Sequence, residues 1–187
     1  MTFTVTYKPY QLFPEASQEG EGKYEWYKRS KYNESEEKMQ MYMALMTAHG
    51  RTEGIEYKFG GTVANTLQAH RFIQHFQEAK GPEVADKLVS SLYRQYFEEE
   101  KHPSSTETLL VAATEAGIEE SEAKAFIEDK DEGLVDVKMA VREQAGNGID
   151  SVPYIVFEGK RRDLTLIGCK EVAEYEKALQ QIIKECQ

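Results

Sequence analysis

A histidine and an arginine lie side by side at positions 70 and 71, five residues after Asn65. An imidazole can accept or donate a proton near neutral pH, and a guanidinium binds anions through several N–H donors. His70 and Arg71 are therefore candidate catalytic residues. We favour a more ordinary interpretation, in which Asn65 caps a helix while His70 and Arg71 tie a helical insertion to the sheet by hydrogen bonds.

The two cysteines, Cys169 and Cys186, are 17 residues apart, and no Cys-x-x-Cys occurs. Disulfide exchange needs an attacking thiolate and a resolving thiol close to it, so this spacing does not support that activity. Cys169 is a third candidate catalytic residue, as a lone reactive thiol, although we favour a small buried apolar side chain. Such sparse cysteine usage is typical of a reducing compartment and predicts a cytoplasmic protein.

The histidines lack the spacing of a metal site. His70 and His75 are five residues apart, which does not place them on one helix face, and His49 and His102 have no Cys or His at ligand spacing. We therefore expect no bound metal.

The charge balance argues against two classes of partner. The 187 residues include 33 acidic and 23 basic side chains, a net charge of −10. Such a surface repels nucleic-acid phosphates and anionic lipids, and the basic run 160–162 is too short to reverse this. No apolar run approaches the ~20 residues of a membrane span. The sequence predicts a single globular domain that binds neither nucleic acid nor membrane.

The candidate residues are positioned by a mainly helical middle section. Alternation of Phe3, Val5 and Tyr7 with threonines predicts a first strand, followed by a loop at 20–22 and a short extended piece at 55–59. Apolar residues at helical spacing, bounded by Ser, Gly and Pro, predict a series of helices. Their predicted ranges are 35–50, 66–80, 82–101, 105–116, 121–129 and 132–145.

The last forty residues change in character. The nearly continuous apolar run 152–157 predicts a central strand that is buried on both faces. A tight turn at 158–160 connects this run to a second strand over 162–167, which makes a β-hairpin. A terminal helix is predicted over 171–185. The order of strand, helices, hairpin and helix indicates an α/β fold with an all-helical insertion.

Several segments together resemble DsbA-like proteins of the thioredoxin-fold family, in the FrnE-like and 2-hydroxychromene-2-carboxylate isomerase-like branch. Each is short, but they cover nearly all of the chain in the family's order. They are Tyr7–Pro14, similar to Trp-Arg-Pro-Phe-x-Leu-x-Pro; Asn65–Arg71, similar to Asn-Thr-x-x-Ala-His-Arg; Ser91–Phe97, similar to Leu-Phe-x-Ala-Tyr-Phe; and Ser151–Tyr154 with Gly159, similar to a Gly-Val-Pro-Phe loop. Leu166–Cys169 stands where members usually have Ser-Gly-Ala-Gln.

This resemblance implies an incomplete thioredoxin-like fold within a single domain, 1–187. The thioredoxin-like part would be about 1–20 and 146–187, with the helical insertion about 33–145, and Pro153 would be the fold's cis-proline. Members begin with a strand and helix that carry Cys-Pro-Trp-Cys, and this sequence contains no such motif. We therefore expect the first βα unit to be missing and the family's redox activity not to carry over.

The resemblance also implies a binding face. Val152, Pro153 and Tyr154, with Asn65 and Tyr10, would bind a small molecule, glutathione or a peptide without disulfide exchange. We expect no cofactor other than glutathione. We expect a homodimer that completes the sheet, in preference to a shift of 3–7 onto 154–157.

Two alternatives stay open, and with them the question of whether the chain is an enzyme. The first is a repurposed isomerase, lyase or cyclase that acts on a small aromatic or polyketide-like compound, with His70, Arg71, Tyr10 and Tyr154 as acid–base residues. The second is a truncated dithiol–disulfide oxidoreductase, whose natural form has the Cys-Pro-Trp-Cys unit upstream.

Overall fold

The computed structural model describes residues 2–186, apart from the side chain of Cys186. Within this range the chain forms eight helices and two separate two-stranded antiparallel sheets. The elements are β1 Glu21–Gly22, α1 Lys23–Tyr32, α2 Glu36–Glu53, β2 Thr62–Val63, α3 Leu67–Lys80, α4 Pro82–Phe97, α5 Thr106–Ala116, α6 Glu120–Glu128, α7 Leu134–Gly146, β3 Tyr154–Phe157, β4 Leu164–Ile167 and α8 Val172–Cys186. The mixed α/β class is confirmed.

Local capping signals set the starts of α2 and α5, and most helix ends lie within a few residues of the predicted bounds. The Ser35 side chain accepts a hydrogen bond from the Lys38 N–H at the start of α2, and Ser105 does the same for Thr108 at the start of α5. Gly117 ends α5 in the left-handed region, with φ of 79°. These interactions depend on near neighbours in the chain, so they could be predicted.

Helix α1 was not predicted, because Lys23–Tyr32 has no apolar stripe. Its aromatic side chains pack against residues that are distant in sequence. The Trp26 ring lies 4.4 Å from the Phe13 ring, centroid to centroid, and the Tyr27 ring stacks 5.7 Å from that of Tyr42 in α2. Tertiary contacts therefore stabilise this helix, rather than an amphipathic pattern of its own.

The hydrophobic core lies among α3, α4, α5 and α6. Phe72 and Phe76 of α3 are fully buried, and their ring centroids lie 4.7 Å apart. Leu88 of α4 and Ala112 of α5 have no exposed surface, and Phe126 of α6 packs against both phenylalanines. Burial of each phenylalanine contributes roughly 1.5–3 kcal/mol relative to exposure. We call this group of four helices the helical core.

The predicted first strand is not formed. Tyr7 donates its backbone N–H to Gln77 Oε1 at 2.8 Å, and its carbonyl accepts from the Gln74 and Gln77 amides at 2.9 and 3.0 Å. Glutamine side chains of α3 thus satisfy the backbone groups that a neighbouring strand would have paired with. Pairing of 3–7 with 154–157 is likewise wrong, since residues 3–7 form no strand and the sheet that contains 154–157 consists, within residues 2–186, of β3 and β4.

The predicted β-hairpin and terminal helix are confirmed. β3 and β4 pair antiparallel, with Tyr154 opposite Ile167 and Phe157 opposite Leu164. Helix α8 packs on this hairpin through Ile182, which is 2% exposed, and Arg162 donates to Glu185 at 2.8 and 3.1 Å. We call β3, β4 and α8 the C-terminal unit.

The prediction that 152–157 is a central strand buried on both faces is wrong. β3 covers Tyr154–Phe157, and its one partner among residues 2–186 is β4. Val156 is 46% exposed as a result. An apolar run shows that a segment is able to be buried, but burial also needs neighbours on both sides.

No helix within residues 2–186 is long and apolar enough to cross a membrane.

Candidate functional site

The loop before β3 presents backbone groups in a defined direction. The Val152–Pro153 peptide bond is cis, and the Pro153 carbonyl accepts from the Gly168 N–H at 2.9 Å. Pro153 therefore faces β4. Because backbone groups of successive strand residues point to alternate edges, those of Tyr154 and Val156 point away from β4. We call these two residues, together with the exposed Val152 that precedes β3, the open edge.

The open edge combines unpaired backbone with exposed apolar side chains. In the part of the chain that the structure describes, no strand pairs with it. Val152 and Val156 are each 46% exposed, and Ile167, which shares a sheet face with Tyr154, is 53% exposed. Such an edge is a template for the addition of another extended strand.

Tyr10 connects the loop before β3 to the helical core. Its hydroxyl donates to the Asp150 carbonyl at 2.7 Å. Its own backbone carbonyl interacts with the half-buried His70 of α3, and burial lowers the pKa of His70 below its ordinary value. The structure therefore brings Tyr10, His70 and the 150–153 loop into one neighbourhood, in which the imidazole is neutral at physiological pH.

Arg71 lies elsewhere. It is 3% exposed, and its guanidinium donates to the carbonyls of Asp129 at 2.8 Å, Glu132 at 2.7 Å and Phe126 at 3.2 Å. It also stacks on the Phe126 ring, and burial lowers its pKa. These are the contacts of a side chain that anchors the segment between α6 and α7. Arg71 is therefore structural, but its described hydrogen bonds lie within the helical insertion and do not tie it to the sheet.

Asn65 is also engaged in structural hydrogen bonds. It is 7% exposed, and its amide donates to the Pro14 carbonyl at 2.8 Å. Its Oδ1 accepts from the Leu67 N–H at 2.9 Å and from the Gln11 side chain at 3.0 Å. Asn65 thus accepts from the first N–H of α3, just before the N-cap residue Thr66, and fastens the N-terminal segment to the helix, so that both of its polar atoms are occupied.

Cys169 is exposed, so the favoured interpretation of a buried apolar side chain is wrong. The chain leaves β4 at Gly168, whose N–H bonds to the Pro153 carbonyl. Cys169 is therefore the next residue after Gly168, which contacts the loop before β3. The side chain of Cys186 lies outside the described part of the chain. Among the described residues, no group of three or more His, Cys, Asp or Glu could hold a metal ion.

The sequence analysis missed a buried lysine at the start of α1. Lys23 is 6% exposed, and its Nζ donates to the Tyr96 carbonyl at 2.8 Å and lies 3.9 Å from the centre of the Tyr96 ring. A cavity of about 20 Å³ adjoins it. The aromatic residues of Lys23–Tyr27 mark this segment as apolar, but they do not indicate that the lysine is buried, because its burial depends on the end of α4. The rings that line this aromatic cavity are Tyr27, Tyr42, Tyr57, Phe59, Tyr96 and Phe97.

Comparison with known proteins identifies similar chains. A family model described as a DSBA-like thioredoxin domain matches residues 1–180. A probable DsbA oxidoreductase from Streptomyces coelicolor is similar in structure, with a TM-score of 0.82 at 23% identity, over 97% of this chain and 76% of that one. A proposed protein disulfide isomerase from Nitrosomonas europaea gives a TM-score of 0.67 at 18% identity, over 82% and 77%. No curated protein matches the chain.

Proposed function

We propose that this chain, which belongs to the family of DSBA-like thioredoxin domains, binds a peptide along the open edge without disulfide exchange. In the thioredoxin fold, extended substrates bind beside the proline loop. The observation that carries this proposal is the backbone of Tyr154 and Val156, with which no strand pairs among the described residues. Main-chain hydrogen bonds supply affinity in strand addition, and side-chain contacts supply selectivity. Glutathione, itself a short peptide, is the smallest ligand of this kind.

The exposed side chains indicate which peptides would bind. Val152, Val156 and Ile167 offer apolar contacts beside the open edge. The net charge of −10 disfavours strongly acidic ligands. The preferred ligand is therefore an extended, apolar, neutral or basic segment with free backbone N–H groups.

The absence of disulfide exchange is proposed from the cysteines. Cys169 and Cys186 are 17 residues apart, the first between β4 and α8 and the second at the end of α8. The exposed thiol of Cys169 can exchange with oxidised glutathione to form a mixed disulfide and release reduced glutathione, but no cysteine lies close to it in sequence to resolve that bond. Peptide binding at the open edge requires neither cysteine.

The binding proposal is tested by NMR with an acetylated, amidated Thr-Val-Thr-Val-Thr peptide. We expect the largest amide shifts at 152–156. A matched peptide that carries N-methyl groups on alternate residues lacks the backbone N–H donors along one of its own edges. It should therefore bind the open edge much more weakly. No shift at millimolar peptide, or equal binding of the methylated peptide, would contradict the proposal.

The absence of exchange is tested separately, in an insulin-reduction assay with glutathione. We expect no turnover above background, and the same result for Cys169→Ser. Turnover that disappears in Cys169→Ser would show that the thiol is catalytic, and would favour the oxidoreductase alternative over simple binding.

We also propose that, without a peptide, two copies pair through their open edges. β3 contains no charged residue and no proline, which are the usual protections of an edge strand. Antiparallel pairing of two copies would give a four-stranded sheet in the order β4–β3–β3–β4. Since each copy carries a charge of −10, added salt should strengthen the dimer.

Sedimentation equilibrium tests the dimer. We expect a dimer at micromolar concentration that dissociates when the peptide is added, because both compete for the same edge. A monomer at all salt concentrations would overturn this second proposal and leave the first intact.

A further inference from the structure

A groove that shares no residue with the open edge lies beside the end of α2. Its volume is about 490 Å³, within the range of roughly 300–1,000 Å³ that small-ligand pockets occupy. Its walls come from the last turns of α2 and from the segment 55–58. The residues that the following argument uses are Thr47, Arg51, Ile55, Glu56, Tyr57 and Lys58. We call this site the α2 groove.

The segment that forms one wall of the α2 groove is extended and has a free donor. Glu56 donates its N–H to the Glu98 side chain at 3.1 Å, and Lys58 donates its N–H to the Phe97 carbonyl at 2.8 Å. Because the N–H groups of successive residues in an extended chain point to opposite edges, the Tyr57 N–H points away from these acceptors. No hydrogen bond described within residues 2–186 uses it. The Tyr57 N–H is therefore available to a carbonyl acceptor.

The edge that carries this donor faces α2. Ile55, whose backbone groups point to the same edge as those of Tyr57, donates its N–H to the Gly50 carbonyl at 2.8 Å. Thr47 and Arg51 are one helical turn apart and both line the groove, so they lie on the adjoining flank of α2. A ligand in the α2 groove thus lies between a strand-like edge and a helix flank that carries a hydroxyl and a guanidinium.

Charges of both signs line the α2 groove. Arg51 and Lys58 are exposed, and no ion pair described within residues 2–186 includes either of them. Glu56 is likewise exposed, and the carbonyl groups at the end of α2 carry partial negative charge. The groove is therefore complementary to a ligand that carries both a carboxylate and an ammonium, rather than to a simple anion.

The spacing of these charges suits two residues of extended peptide. Glu56 and Lys58 are two residues apart in an extended segment, so roughly 6–7 Å of chain separates them. The ammonium and the carboxylate of a free dipeptide are separated by a similar length of chain, and between them lies one peptide carbonyl. The half-buried Ile55 and Tyr57 provide apolar surface for a side chain of the ligand.

We propose that the α2 groove binds a free dipeptide with an apolar side chain, which runs parallel to 55–58. Glu56 and the end of α2 bind its ammonium, and the Tyr57 N–H donates to its peptide carbonyl. Arg51 and Lys58 bind its carboxylate through charge-assisted hydrogen bonds. This site is independent of the open edge, because it uses other residues and requires the free ends of the ligand.

The proposal is tested by an NMR titration of the full chain with the free dipeptide Ala-Leu. We expect the Tyr57 amide proton to shift downfield as its N–H gains an acceptor, and to saturate at millimolar dipeptide. The same dipeptide with an acetylated and amidated backbone lacks both charges, so it should bind on the order of tenfold more weakly or worse. Sodium acetate is the control for a simple anion and should leave the Tyr57 amide unshifted.

Three variants separate the two ends of the ligand, and all three change exposed side chains, so they should fold. Arg51→Gln should weaken Ala-Leu binding on the order of tenfold. Glu56→Gln should also weaken Ala-Leu binding, but it should not change the affinity for acetyl-Ala-Leu, which has no ammonium. Lys38→Gln, at a position of α2 outside the groove, is the matched control and should bind Ala-Leu like the parent chain.

The proposal is overturned if the Tyr57 amide does not shift at tens of millimolar Ala-Leu, or if the blocked dipeptide or acetate binds as tightly as Ala-Leu. The acetylated, amidated Thr-Val-Thr-Val-Thr peptide has no free end, so its shifts at 152–156 report on the open edge alone. The failure of one proposal is therefore distinguishable from the failure of the other.

Discussion

The helical core and the C-terminal unit bury their apolar side chains to very different extents. In the helical core, Phe72, Phe76 and Leu88 have no exposed surface. In the described part of the C-terminal unit, the buried apolar residues are Ala178 and Ile182, whereas exposed ones include Val156, Ile167 and Val172. The helical core can be stable through its own contacts. The C-terminal unit keeps apolar surface available, and that surface is where we propose that binding occurs.

Among the described residues, the side-chain hydrogen bond that links the loop before β3 to the rest of the chain is made by Tyr10. The Tyr10 hydroxyl donates to the Asp150 carbonyl, and the Tyr10 backbone interacts with His70 of the helical core. Because so few interactions hold the two regions together, the C-terminal unit can open locally while the helical core stays folded. The following changes test that difference, beginning with the largest expected effect.

Phe72→Ala should lower the free energy of unfolding by about 3–5 kcal/mol, because it leaves a cavity in the densely packed helical core. Urea denaturation followed by circular dichroism measures this change. Val111→Ala, at a 39% exposed position of α5, is the control and should cost less than about 1 kcal/mol. Similar costs for both variants would show that the helical core is not close-packed.

Arg71→Met should lower the free energy of unfolding by about 3 kcal/mol, since it leaves the carbonyls of Phe126, Asp129 and Glu132 without their donor. Arg71→Lys should recover only part of this, because an ammonium cannot reproduce the forked geometry. Peptide affinity should not change in the folded fraction. A loss of binding at full stability would instead favour a site role for Arg71.

Ile182→Ala should destabilise the C-terminal unit alone, by roughly 2 kcal/mol. Hydrogen exchange should show weaker protection of the β3, β4 and α8 amides, with the α3 and α5 amides unchanged. Val172→Ala is the control, because that side chain is 72% exposed. If protection falls equally in both regions, they unfold as one cooperative unit and the distinction between them fails.

His70 should give the smallest effect, a pH dependence of stability. Its folded-state pKa is lowered by burial, so the unfolded chain takes up a proton first as the pH falls. The free energy of unfolding should therefore decrease as the pH falls below about 6.5, the ordinary pKa of histidine, until the folded-state pKa is reached.

Denaturation at several pH values between 5 and 8 measures this contribution. His70→Gln should remove it, whereas His49→Gln, at an exposed position, should not. An unchanged pH profile in His70→Gln would show that His70 is as well solvated in the folded chain as in the unfolded one.

Elements with short-range signals could be predicted from the sequence. The Ser105 cap, the Gly117 end of α5 and the hairpin between β3 and β4 all depend on residues that are close together in the chain. The resemblance carried by Tyr7–Pro14, Asn65–Arg71 and Ser151–Tyr154 pointed to the family of which the chain is a member.

The parts that could not be predicted depend on distant partners. Alternation at Phe3, Val5 and Tyr7 indicates a strand only if a neighbouring strand is present, and here glutamines of α3 bind the Tyr7 backbone instead. Helix α1 needs Phe13 and Tyr42 to pack its aromatic face. The burial of Lys23 follows from the end of α4 reaching it, which its own neighbours in sequence do not indicate.

By itself, the sequence determined most of the helices other than α1, the hairpin, the negative charge and the lack of a Cys-x-x-Cys pair, because each is a property of composition or of residues near one another in the chain. Only the tertiary structure decided that β3 has an open edge, that Cys169 is exposed, that Arg71 is an anchor and that Lys23 adjoins a cavity. The physical reason is that burial and hydrogen bonding across the fold depend on which distant segments meet, and single-sequence periodicity does not record this.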